Sequence, residues 1–164
     1  MGIIRVMKDE KMTKNWIEEN LYLKIREVMP IPTVDAVVTY KVKFLVLVKK
    51  KSPVKDLWWV PGGRVKRGES LEEAVLRKLR EETGLEGRIV RRGGVVNQVF
   101  PEIHTISVFF HVEVEDDNVK LNEEHRAYKW FSKSPQDDHN YLKTIVTQTL
   151  GNDIIEATEE KKHI

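Results

Sequence analysis

Residues 63–85 read Gly-Arg-Val-Lys-Arg-Gly-Glu-Ser-Leu-Glu-Glu-Ala-Val-Leu-Arg-Lys-Leu-Arg-Glu-Glu-Thr-Gly-Leu, a glycine loop feeding a helix that ends in paired carboxylates. Ser70 followed by Glu73 is a capping box, so a helix starts there, and Thr83-Gly84 supplies its stop. At about 100° per residue, Leu71, Val75 and Leu79 form one apolar stripe, and Glu82 falls on the same arc. A carboxylate inside a buried stripe needs a cation or a basic side chain opposite it. Glu81 faces the more polar flank, near Arg77. Two carboxylates at a helix end beside loop carbonyls form an oxygen-only site suited to Mg²⁺ or Mn²⁺, where a metal would neutralise a diphosphate. The competing reading is a solvated face with Arg77 to Glu81 and Lys78 to Glu82 ion pairs.

Working outward, Leu57-Trp58-Trp59-Val60-Pro61-Gly62-Gly63 predicts a short strand broken by turn residues, reached through a basic loop, 49–56. Before it, Thr33 to Tyr40 and Phe44 to Val48 are β-branched and aromatic runs joined by Lys41-Val42-Lys43, the pattern of an antiparallel pair buried on both faces. An amphipathic helix is expected over about 13–29, carrying Trp16, Ile17, Leu21, Leu23, Ile25 and Val28 and stopped by Pro30 and Pro32. Downstream, Arg88 to Phe100 and His104 to Glu115 predict long strands, Lys129 to Phe131 a short one and Asn140 to Leu150 a closing helix. The expected core therefore spans about 33–150, with a charged tail over 151–164. Interleaved strands and helices without a repeat predict an α/β fold, an α/β/α sandwich around a mixed β-sheet.

The chain has 164 residues, 40% of them apolar, which suits one domain over 1–164 with a single core. A third are charged, yet the formal net charge is only +2, so the footprint of a dedicated nucleic-acid or anionic-membrane binder is missing. Cysteine is absent, which removes thiolate chemistry and Cys-ligated metals. No apolar run approaches the roughly 20 residues that span a bilayer, and the first residues lack the order of a signal peptide. A cytoplasmic protein with a small anionic ligand, and no membrane or nucleic-acid partner, is the expectation.

The 63–85 stretch resembles the Nudix box, G-x5-E-x7-R-E-U-x-E-E-x-G-U with U aliphatic, at Gly63, Glu69, Arg77, Leu79, Glu81, Glu82, Gly84 and Leu85. Lys78 stands where that family usually has Glu. The resemblance implies the same sandwich fold and a metal-dependent hydrolase of nucleoside diphosphate derivatives. A second constellation, Leu121-Asn122-Glu123-Glu124-His125-Arg126-Ala127-Tyr128-Lys129-Trp130-Phe131, sets a carboxylate beside a histidine, the side chain suited to accepting a proton near neutral pH.

Together with Val60 to Val65 and Asp35, this loop is similar to the GDP-mannose mannosyl hydrolase branch of the family. That branch implies His125 as base and one metal on Gly63, Glu82 and Glu124. It also implies water attack at the sugar's anomeric carbon, with Arg64, Arg77 and Lys49 meeting the diphosphate, Asp35 meeting the sugar, and a homodimer. Thr105 stands where the branch has a tyrosine, and Glu81 is kept here. Pro101 resembles instead a proline of ADP-ribose pyrophosphatases, where water attacks phosphorus and His125, Glu124 or Glu81 would be the base. A nucleotide-binding domain without catalysis, its site quenched by a Lys78 to Glu82 pair, is the third possibility.

Overall fold

The computed structural model describes residues 17–51, 54–132 and 140–151. In chain order these form α1 (Glu19–Val28), β1 (Ile31–Tyr40), β2 (Lys43–Lys49), β3 (Trp58–Trp59), β4 (Gly62–Arg64), α2 (Leu71–Thr83), β5 (Gly87–Val99), β6 (His104–Val114), β7 (His125–Phe131) and α3 (Asn140–Leu150). All seven strands join one mixed sheet. β1 pairs parallel with β6, and the other pairings are antiparallel. No helix among the described residues is long and apolar enough to cross a membrane.

The local chemistry of α2 is what its sequence predicts. Ser70 Oγ accepts from Glu73 N at 3.0 Å while Glu73 Oε2 accepts from Ser70 N at 2.8 Å, so the first turn is capped from both sides. The last turn ends on Gly84 at φ 69°, a left-handed backbone that glycine adopts without a Cβ penalty.

One departure from regular pairing creates the site. β1 and β2 pair only at their hairpin end, Thr39 with Phe44 and Tyr40 with Lys43. Farther along, the 58–64 segment takes over both partners: β3 pairs with β2, and β4 pairs with β1 through Thr33, Val34 and Asp35. Ala36 N donating to Pro61 O at 2.8 Å closes the corner between them. Gly62 and Gly63 are thus held inside the sheet, facing the last turns of α2.

Alternation along β1 divides the core into two layers. Val34, Ala36 and Val38 pack with Leu45, Leu47 and the α2 stripe of Val75 and Leu79. Val37 packs on the opposite face with Phe44, Val46, Trp59 and Phe109, beneath Leu142, Ile145 and Val146 of α3. The expected sandwich, with its central strands buried on both faces, is the observed one.

Three expectations are corrected. β7 begins at His125, four residues before Lys129, because β2 pairs with it all the way from Phe44 to Lys49. Its polar, half-exposed sequence hides that pairing. The 57–63 segment forms two short strands in place of one. In α1, the stripe expected to cover the core leaves Leu21, Leu23 and Val28 exposed; Tyr22 is the buried residue, and Arg26 Nη2 ties the helix to Glu102 O at 2.7 Å. Residues 13–16 of the expected helix and 152–164 of the expected tail lie outside the described residues.

Candidate active site

A cleft of about 390 Å³ opens where β4 meets the C-terminal half of α2. Gly63, Arg64, Arg77, Glu81, Lys49 and Glu124 all line it, so six of the nine candidate site residues converge on one surface, joined there by Lys78. Glu82 and His125 lie buried and side by side, and Asp35 lines an adjoining smaller pocket.

Arg77 braces the glycine loop. Its guanidinium grips Glu69, with Nη2 to Oε2 at 2.9 Å, while Nη2 also reaches Arg64 O at 3.0 Å and Nη1 reaches Glu81 Oε2 at 3.1 Å. A planar fork with several donors matches this geometry; an ammonium would not. The hydrogen bonds it donates to Glu69 hold Arg77 above the ordinary arginine value. Burial pushes Glu69 up, but Arg77 and the Lys66 N–H outweigh it and hold that carboxyl below the usual range. Glu69, 13% exposed, is therefore a loop anchor, and Arg77 has its donors committed to the protein in this arrangement.

Glu82 has no exposed surface. Its Oε2 accepts from Gly62 N at 3.2 Å, and Lys78 Nζ lies 2.8 Å from its Oε1 and 3.5 Å from Glu81 Oε2. Burial would lower the Lys78 ammonium, yet Glu82, Glu124 and Glu81 together hold it above the ordinary lysine value. The side-chain stem of Lys78 passes close to Gly63, where an added Cβ would stand 2.8 Å from Lys78 Cε. Glycine there makes room for the lysine.

His125, at the start of β7, faces Glu82 Oε2 across 3.7 Å. Asn122 Oδ1 lies 2.9 Å from His125 Nδ1 and can only accept, so Nδ1 carries the hydrogen and Nε2 presents a lone pair. That Nε2 is buried without a hydrogen-bond partner among the described residues. Burial lowers the imidazole below its ordinary value despite the pull of Glu82, so the ring is neutral at neutral pH. Its side chain has no exposed surface, which separates it from water in the cleft.

The adjoining pocket, about 110 Å³, shares Thr33, Lys49, Gly62, Gly63 and Ile103 with the cleft and adds Trp59, Phe100, Gln98 and Thr105. Trp59 stacks on Tyr141 with ring centroids 4.6 Å apart. Asp35 accepts hydrogen bonds from Ser107 and from Tyr141 Oη. Burial raises the Asp35 carboxyl against those bonds and against the charge of Lys49, and the Tyr141 phenol is pushed up too. Arg64 lies over the Tyr22 ring at 3.8 Å, which connects α1 to the cleft wall.

Ser107, Tyr141, Asn122 and Tyr22 are the participants that sequence reasoning missed. Tyr141 lies 106 residues from Asp35, and no local pattern joins them. Asn122, three residues before His125, had a readable signal as an orienting amide.

The expected metal set of Gly63, Glu82 and Glu124 is not assembled as three available donors. Glu124 is exposed on the cleft wall, whereas Glu82 is buried with Lys78 against one oxygen and Gly62 N–H against the other. Among the described residues, no group of three acidic or imidazole side chains converges. With Lys78 seated, Glu82 does not fit a divalent cation.

Comparison with known proteins bears on the fold and the family. The NUDIX domain family model matches residues 29–138. An ADP-ribose pyrophosphatase of Methanocaldococcus jannaschii is 33% identical over 104 residues, 62% of each chain, so this chain spans under two thirds of that relative's length. The low-salt glycan biosynthesis protein Agl8 of Haloferax volcanii is 27% identical, over 70% of this chain and 78% of that one. A solved MutT protein from Methanosarcina mazei Go1 superposes with a TM-score of 0.65 and 29% identity, covering 82% of this chain and 99% of the other. A MutT NUDIX hydrolase structure from Burkholderia pseudomallei, at 23% identity and a TM-score of 0.67 over 73% of this chain and 98% of that one, shares the fold. With the 63–85 loop and helix in place and the family model covering β1 to β7, this chain belongs to the NUDIX domain family.

Proposed function

We propose that this protein hydrolyses a nucleoside diphosphate linked to a sugar, with water attacking phosphorus in the manner of an ADP-ribose pyrophosphatase. The observation that carries the reading is the lining of the cleft, which brings Lys49, Arg64, Lys66, Arg77 and Lys78 together with Glu81 and Glu124, while Glu69 and Glu82 stand behind Arg77 and Lys78. A surplus of cations in a walled cleft suits a diphosphate. The adjoining pocket, with Trp59 and Phe100 at its wall and Asp35, Gln98 and Thr105 as polar contacts, suits the ring at one end of such a substrate. The relative from Methanocaldococcus jannaschii supports the same substrate class.

In this reading a water oxygen bonds to one phosphorus and the bridging phosphorus–oxygen bond breaks. The products are a nucleoside monophosphate and a sugar phosphate. Glu124, an exposed cleft carboxylate that enters no ion pair among the described residues, takes the water's proton. Lys49 and Lys78 offset the charge that develops on the phosphoryl oxygens. Arg77 is a positioning residue that keeps the 64–69 loop in register.

Nudix hydrolases as a family work with a divalent cation such as Mg²⁺, which supplies charge neutralisation and polarises the bond being broken. The expected Mg²⁺ or Mn²⁺ on Glu82 is replaced in this reading by the chain's own cations, because Lys78 holds that carboxylate.

A second reading, attack at the sugar's anomeric carbon with His125 as base, is favoured by one observation. The Nδ1 hydrogen is directed to Asn122, and the Nε2 lone pair has no partner. It requires the ring to gain access to cleft water.

Incubation with ADP-ribose, GDP-sugars and dinucleoside polyphosphates, with and without Mg²⁺, tests the proposal through product identification. Nucleoside monophosphate plus sugar phosphate is expected. Nucleoside diphosphate plus free sugar would favour the second reading, and binding without turnover would leave a nucleotide-binding domain.

A further inference from the structure

We infer that Lys78 is a built-in cation that occupies the place of a divalent metal at Glu82. Lys78 is the residue at which this chain departs from its family pattern, and this role rests on the reading of the cleft as a diphosphate site. A carboxylate at position 78 that binds a divalent cation leaves one net positive charge, and an ammonium at position 78 leaves the same. The lysine can therefore preserve the electrostatic sum of the site while removing the ion.

The geometry fits that exchange. Nζ stands 2.8 Å from Glu82 Oε1 and 3.5 Å from Glu81 Oε2, bridging both carboxylates at the helix end. Glu82 is completely buried, so some positive group must face it, and Lys78 is that group. The lysine also lines the cleft, 11% of its side chain being exposed, so the same ammonium that holds Glu82 presents charge to a bound diphosphate. The stem reaches this place beside Gly63, where an added Cβ would meet it at 2.8 Å. Loop and lysine are matched.

Manganese binding to the nucleotide-free protein, followed by the electron paramagnetic resonance of free Mn²⁺, tests the inference. The parent protein should retain little Mn²⁺, and Lys78→Glu should bind it at least roughly tenfold more tightly. Should Lys78→Glu not fold, Lys78→Gln removes the competing charge without adding a carboxylate, and Mn²⁺ should then raise its melting temperature more than the parent's. Equal Mn²⁺ affinity of parent and variant, whether strong or weak, overturns the inference, because the lysine would then not be what governs the metal. A parallel titration with ADP in EDTA separates this question from the functional reading. Binding of ADP supports the diphosphate cleft, and its absence with and without Mg²⁺ counts against that cleft while leaving the manganese comparison decisive for Lys78.

Discussion

Lys78 Nζ lies 2.8 Å from Glu82 Oε1, one helical turn away, and Glu82 has no exposed surface at all. Removing the lysine alone strands a buried carboxylate, whereas removing both charges does not. Lys78→Met should cost about 3–5 kcal/mol of unfolding free energy, and the Lys78→Met/Glu82→Gln pair should recover most of that loss. Urea titration of the two variants reads the difference. A single variant within about 1 kcal/mol of the parent would mean that the pair contributes little.

Arg77→Lys keeps the charge but loses the fork that joins Glu69, Glu81 and the Arg64 carbonyl. The expected cost is about 1.5–3 kcal/mol, together with faster protease cleavage within residues 64–69. An uncleaved loop with unchanged stability would show that the brace is dispensable.

Gly62 sits where an added Cβ would stand 2.1 Å from Asp35 Oδ1 and 2.5 Å from Val34 O. Part of that conflict is with backbone, so Gly62→Ala should lose about 1–3 kcal/mol. Thermal unfolding measures it; a melting temperature equal to the parent's would contradict the close packing of β4 on β1.

The imidazole of His125 has its folded value below the ordinary 6.5, with burial as the main cause. As pH falls through about 6.5, the unfolded chain takes up the proton first, so the stability present above that value is lost toward the lower folded value. His125→Gln should flatten this decline on the acid side of about pH 6.5. His111 is lowered in the same direction, by burial and Arg91, and stays in both proteins, so the difference reports His125. Parallel stability curves for parent and variant would remove His125 from the account.

The legible parts of this protein were those written in local chemistry. Ser70, Glu73 and Gly84 mark both ends of α2, and the apolar runs of β1 and β2 announce strands covered on both faces. The site was legible as a list of residues but not as a set of contacts. Gly63, Arg64, Arg77 and Glu81 come from one stretch, yet only the wedge of β3 and β4 between β1 and β2 brings Lys49 and Glu124 to them. Spacing alone left Glu82 open to a metal or a lysine, and the choice depends on how the Lys78 stem passes Gly63. The strand at Lys129 to Phe131 was legible, but the first four residues of β7 escaped notice because they are mostly polar and owe their strand conformation to β2. The apolar face of α1 misled because Tyr22 docks through Arg64 instead of through the leucines.

Hydrolysis of a GDP-sugar joined through its anomeric carbon, in ¹⁸O-water with mass analysis of the products, tests the central claim most directly. The account predicts the label in a phosphate of GMP or of the sugar 1-phosphate, formed by attack at phosphorus. Label in free sugar, released beside intact GDP, would contradict it.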